Sequence, residues 1–181
     1  DRLELHQKII DEEVNKGNPA AAGEKPLVIV MGGGGASGKG SVLKRLQESG
    51  DVPSQGFVHI DADSIKGVLP QYLDALELKD YRAAMIVHEE SSEIANKMIA
   101  RSVGERKNLI LDRTMGDPDK GVRMIKNLQE EGYEVQIVGV TVDVSEALIR
   151  ALERYYGSGR LPHVPSMVKA HKGFSEAFEC I

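Results

Sequence analysis

From Leu27 onward the chain alternates between two hydrophobic patterns. Four runs are almost continuously apolar and rich in β-branched residues: Leu27–Met31, Phe57–Asp61, Asn108–Asp112 and Val135–Val142. Glycine or charge bounds each of them, as expected of parallel strands buried on both faces. Between them the spacing predicts helices over Val42–Glu48, Tyr81–Val103, Pro118–Glu131 and Ser145–Tyr156. Pro118 suits the first turn of its helix, with Asp117 as the N-cap. Regular alternation of strand and helix predicts an α/β fold in three layers, a mostly parallel sheet with helices on both faces. Ahead of it, residues 1–16 read as a helix carrying Leu3, Leu5, Ile9, Ile10 and Val14 among many charges. The stretch 17–26, with two glycines and two prolines, reads as a linker. The expected organisation is therefore a helix and linker over 1–26, followed by one domain over 27–181.

Composition narrows the picture modestly. A chain of 181 residues is one domain by length and is large enough to bury a core without staples. Its hydrophobic content of 41% and charged content of 28% are ordinary for a soluble globular protein. A formal net charge of −5 argues against a general nucleic-acid binder, so any attraction for phosphate must be local. The single cysteine, Cys180, excludes an intrachain disulfide and fits a reducing compartment. No apolar run reaches membrane-spanning length and no signal-peptide pattern opens the sequence. A cytoplasmic location and no membrane partner are the corresponding expectations.

The chemistry concentrates where predicted strands end. After the first comes Gly32-Gly33-Gly34-Gly35-Ala36-Ser37-Gly38-Lys39-Gly40-Ser41, and then the helical pattern. Strand, glycine-rich loop and helix form the context of a P-loop. Residues Gly33 to Ser41 would wrap phosphates with backbone N–H groups, aided by the positive end of the helix dipole. Lys39 would add a mobile charge on the β- and γ-phosphates of ATP or GTP. Ser or Thr usually follows the lysine directly and ligates Mg²⁺; here Gly40 intervenes and Ser41 is the candidate metal ligand. In open parallel sheets ligands sit beyond the carboxyl ends of strands. There the second strand offers Asp61 and Asp63, the third Asp112-Arg113-Thr114. Asp112 ends an apolar strand as a Walker B acid does, and is the second candidate metal ligand. One of Asp61 and Asp63 can orient a hydroxyl for phosphoryl transfer while the other caps a helix. Arg150 and Arg154 share a helix face, and Arg160 follows in a glycine-rich segment. Arginine forks stabilise a transferring phosphoryl group, whereas Arg150 alone reads better as a solvated position. On the long helix, Met85, Ala95, Met98 and Ser102 mark an inward stripe interrupted by His88, Ser91 and Ser92, a polar notch that could face a substrate cavity; His88 by itself reads better as a hydrogen-bonded core histidine.

The ordered set GGGGASGKGS, HIDADSIK, HEESSEIANKMI, NLILDRT, EEGYEVQIVGV and ALERYYGSGRLPHVPSMV resembles the zeta toxin family of P-loop kinases, over about residues 27–175. The resemblance implies a P-loop NTPase/kinase fold and an enzyme that phosphorylates a sugar hydroxyl of UDP-N-acetylglucosamine with ATP or GTP and Mg²⁺. By motif, Lys39 resembles the P-loop lysine and Asp63 the catalytic base. Arg154 and Arg160 resemble the two arginines bracketing the transferred group. Thr114 resembles a substrate contact following the strand-three acid Asp112 and Arg113, and Lys66 stands where the pattern often has arginine; these four are carried as substrate-binding candidates. Family members carry a sugar-contacting glutamate on the long helix; Glu89, Glu93 and Asn96 are its nearest counterparts, and Glu89 is carried as the candidate. Where the family has Glu-Gly-Thr, this chain has Asp112-Arg113-Thr114, which places an extra cation near the acceptor. A strand that the family has after its last helix is not seen before residue 181.

Other readings stay open. Relatives on the same scaffold resemble kinases of other metabolites, including NAD. A nucleoside monophosphate kinase fits the Gly-Lys-Gly-Ser ending but lacks an arginine-rich lid. A degenerate nucleotide-binding module would account for Gly40. Zeta-type toxins are held by an antitoxin, so residues 1–16 could act in cis over the nucleotide site, or simply pack as an extra helix.

Overall fold

The computed structural model describes residues 1–80, 82–158 and 164–180. Its elements run α1 (Arg2–Val14), β1 (Leu27–Gly32), α2 (Lys39–Ser49), β2 (Val58–Ile60), α3 (Ala62–Lys66), α4 (Pro70–Glu77) and α5 (Ala83–Ile86). There follow α6 (His88–Gly104), β3 (Leu109–Arg113), α7 (Pro118–Glu130), β4 (Glu134–Gly139), α8 (Val144–Ser158) and α9 (Val164–Glu179). The four strands among the described residues form one all-parallel sheet in the order β2-β3-β1-β4.

Parallel strands of this sheet are apolar on both sides because both sides are covered. Val28 and Val30 of β1 are fully buried with Leu109, Leu111, Val58 and Ile60 against α1, α6, α7 and α9. Their neighbours Ile29 and Met31 turn to the opposite face, where Ile110, Leu43 and Val52 close the core under α2. Burying one such side chain is worth about 1.5–3 kcal/mol, so this doubly covered sheet is the main stabilising element. It also fixes the strand ends that carry the site.

The α1 helix belongs to this core. Ile9, Ile10 and Val14 pack into the larger cluster, and α1 lies against α6 and β2. Lys107 donates to the Val14 carbonyl at 2.8 Å, Arg101 pairs with Asp11, and Arg2 and His6 pair with Glu90. Of the two sequence alternatives, then, packing as an extra helix describes its position. The following stretch is stitched across the other end of the sheet: Asn18 donates to Gly56 at 2.9 Å and accepts from Asn108 at 3.1 Å.

Three features depart from the sequence expectations. The long helix is interrupted: α5 ends at Ile86, Val87 leaves helical geometry at φ −108° and ψ 12°, and α6 begins at His88. Met85 is therefore 70% exposed rather than part of an inward stripe, and His88 is exposed rather than a core histidine. Two short helices, α3 and α4, intervene after β2, with Pro70 in the first turn of α4. Finally, α9 follows α8, and it buries Met167, His171, Gly173, Phe174 and Ala177. Pro162 and Pro165 punctuate its approach and hide it in the sequence, although a proline in a first helical turn costs nothing.

Candidate active site

The P-loop joins β1 to α2, and its glycines are required by geometry at two points. Gly33 has φ 150°, and a Cβ there would lie 2.4 Å from the Val140 carbonyl oxygen. Gly38, the N-cap of α2, has φ 98°. Lys39 opens the helix and folds back over the loop, donating to the carbonyls of Gly33 at 2.8 Å and Gly34 at 3.3 Å. Its Nζ lies 3.5 Å from Oδ1 of Asp112 at the end of β3. Burial raises the Asp112 pKa, Lys39 partly offsets this, and the nearby Asp61 charge reinforces it. The Ser37 hydroxyl is buried and has no hydrogen-bond partner among the described residues.

The loop is braced from outside by α8 and α9. His171 of α9 is buried, and its Nε2 donates to the Gly35 carbonyl at 2.9 Å. Its ring fills the space where a side chain on Gly34 would be. Arg150 of α8 reaches the Ser37 carbonyl at 3.4 Å and pairs with Glu146 at 2.9 Å. Arg150 is thus a P-loop contact and not merely a solvated position, which corrects the sequence reading. Its partner lies 113 positions away, so only the tertiary fold could reveal it.

At the end of β2 the two aspartates divide their roles. Asp61 caps α3, accepting from the Asp63 and Ser64 amides and from the Ser64 hydroxyl. Asp63 is thereby spared the capping role and projects from the first turn of α3, half-exposed. It accepts a 2.9 Å bond from Lys66, whose own side chain is buried. Lys66 is therefore placed as an anchor for the Asp63 carboxylate.

A groove of about 850 Å³ opens between α6 and α7 beside the end of β3. Ile99, Val103, Met124 and Leu128 form apolar walls; Arg113, Thr114 and Lys169 stand among its polar lining. Asn96 lines this groove and also the neighbouring one, which Glu89 lines with His88, Ser92 and Glu93. Of the three counterparts considered on the long helix, Asn96 shares the groove with Thr114, and Glu89 does not. Ser41 sits exposed in the first turn of α2, next to the phosphate loop. Arg154 is exposed on α8 and has interactions of its own. Arg160 lies outside the described residues. From the sequence His171 has no convincing partner and no metal site; the signal available was its place one turn before the buried Phe174. Among the described residues no cluster of three or more His, Cys, Asp or Glu side chains forms a metal cage. No helix among them is long and apolar enough to cross a membrane.

Comparisons with known proteins identify the family. The chain is 24% identical to the calmodulin calcium-dependent NAD kinase of Arabidopsis thaliana, over 84% of this chain and 38% of that protein. It is 24% identical to toxin PezT of Streptococcus pneumoniae, over 73% of this chain and 51% of the toxin. The chain thus spans about half the length, or less, of these curated relatives. Among solved structures, the PezAT chromosomal toxin–antitoxin system of Streptococcus pneumoniae superposes with a TM-score of 0.71 at 18% identity, covering 96% of this chain and 72% of that one. The model of the zeta toxin family matches residues 11–181. Matched by that model over all but its first ten residues, the chain belongs to the zeta toxin family.

Proposed function

We propose that this chain is an ATP- or GTP-dependent kinase acting on a hydroxyl of a nucleotide-type metabolite, with UDP-N-acetylglucosamine the first acceptor to consider. One observation carries the reading. Asp63, released from capping by Asp61 and held by buried Lys66, stands at the same sheet end as the P-loop and the Lys39–Asp112 pair. A base and a phosphate cradle so arranged are what phosphoryl transfer to a hydroxyl needs.

In this mechanism the nucleotide's phosphates lie along Gly33 to Ser41, and the acceptor occupies the α6–α7 groove with its hydroxyl toward Asp63. The Asp63 carboxylate takes the hydroxyl proton as the oxygen attacks the γ-phosphorus. The bond from that phosphorus to the β–γ bridging oxygen breaks, and the nucleoside diphosphate departs. Lys39 exchanges its loop carbonyls for phosphate oxygens and balances the developing charge. Arg154 and Arg160 are proposed, from the family resemblance, to bracket the transferred group. Magnesium fits the donors present, since a hydroxyl on Ser41 and a carboxylate on Asp112 are hard oxygen ligands. When bound with the nucleotide it would neutralise phosphate charge and orient the γ-group.

A second acceptor class, NAD, is favoured by the similarity to a plant NAD kinase. A toxin role with an antitoxin partner is supported by the likeness to PezT and to the PezAT system. The deciding experiment follows ADP formation with UDP-N-acetylglucosamine and with NAD, using Lys39→Ala as control. Acceptor-dependent turnover that the control lacks supports the kinase reading. Nucleotide binding without stimulation by either would return weight to a binding module.

A further inference from the structure

Arg113 is the last residue of β3 and pairs in register with Gly32. Strand alternation separates it from its neighbour: Asp112 turns to the α2 face beside Lys39, and Arg113 to the face of α6 and α7, where it lines the groove. There the residue is half-buried, with the charges of Asp61 and Asp112 acting on it. Its Nε is buried with no hydrogen-bond partner, and no described residue ion-pairs with the group. Arginines that hold this fold together look different. Arg101 binds Asp11 and Glu105, and Arg2 binds Glu90 and Gln71. A buried guanidinium N–H left without a partner is costly, and an ionised oxygen in the plane of the fork would relieve that cost.

The surroundings indicate what such an oxygen belongs to. Lys120, Arg123 and Lys169 also line the groove, and Asp117 offsets Lys120 at 3.7 Å. Glu131 is the other acid on the lining, near its far end. A positive mouth on a chain of net charge −5 is a local feature, not a general background. The apolar walls of Ile99, Val103, Met124 and Leu128 suit a ring.

We infer that Arg113 sets acceptor specificity: its guanidinium fork binds phosphate oxygens of a ring-bearing phosphate ester held in the α6–α7 groove. This rests on the kinase reading above and deepens it, since it names the residue that reads the phosphate of the acceptor.

The test compares matched acceptors, UDP-N-acetylglucosamine with N-acetylglucosamine and NAD with nicotinamide riboside, in the native chain, Arg113→Gln and Arg113→Lys. Thermal unfolding confirms that each variant is folded. Expected is a native preference for the phosphate-bearing member that falls about 10- to 100-fold in Arg113→Gln, mostly through KM. Arg113→Lys should recover part of it, because lysine restores charge without the planar fork. An unchanged preference in Arg113→Gln would overturn the proposal. If no acceptor stimulates the native chain, the kinase reading fails, and equilibrium binding of UDP and NAD decides Arg113 separately. Binding at least tenfold weaker in Arg113→Gln supports the phosphate site. Equal binding, or none to the native chain, overturns it.

Discussion

The brace between α9 and the P-loop makes a sharp prediction at Gly34. A Cβ built there lies 2.3–2.4 Å from three atoms of the His171 ring. Gly34 does not occupy the left-handed region, so alanine is acceptable to the backbone and the ring is the obstacle. Gly34→Ala must displace that ring, at about 1–3 kcal/mol for overpacking. It also breaks the 2.9 Å bond from Nε2 to the Gly35 carbonyl, worth about 0.5–1.5 kcal/mol. A trans peptide points its C=O and its N–H in opposite directions. Holding the Gly35 carbonyl toward α9 therefore aims the Ala36 N–H away from α9, and losing the bond frees that donor to turn. Nucleotide affinity should fall about tenfold together with stability. His171→Ala alone should cost about 2 kcal/mol through the vacated space and the lost bond. In the double variant the new methyl enters the vacated space, so the two costs should not add. Urea unfolding of the four proteins should give a favourable coupling of at least about 1.5 kcal/mol. Additivity within about 0.5 kcal/mol would refute the reasoning, because it would mean that the ring and the loop do not share that space.

Other expectations follow from the site and the α1 contact. Asp63→Asn should lower kcat about 10²- to 10⁴-fold with little change in nucleotide KM, measured by coupled ADP release. Lys66→Met should leave Asp63 in place but unanchored, so kcat should fall about 10-fold or more while nucleotide affinity persists. Arg150→Ala should weaken nucleotide binding several-fold by releasing the Ser37 carbonyl, a modest effect since the bond is long at 3.4 Å. Glu90 has a lowered pKa because of its bonds to Arg2 and His6. Its contribution is then full above the ordinary carboxylate range and fades as pH falls through the lowered folded value. Glu90→Gln should cost about 1–2 kcal/mol at neutral pH and less in acid, and an equal loss at both would count against the contact.

Much of this protein was legible in the chain because the relevant physics is local. Apolar runs between glycines announced four parallel strands, and Asp117-Pro118 announced the start of α7. The P-loop was recognisable because backbone wrapping of phosphate demands glycines at fixed spacing beside a strand. The Asp61 and Asp63 pair was visible as a pair, but the division of labour needed the observed end of β2 at Ile60, which makes Asp61 the cap. What the chain alone left undecided involves partners far apart in sequence. His171 meets Gly35 across 136 positions, Arg150 meets Ser37 across 113, and Arg2 meets Glu90 across 88. Neither partner of such a contact carries a mark of the other, since each is chosen by the space that two packed elements leave between them. The direction of Arg113 was settled in the same way: strand alternation fixes opposite faces for Asp112 and Arg113, but only the packing of α2 on one face and α6 and α7 on the other says which chemistry each side meets.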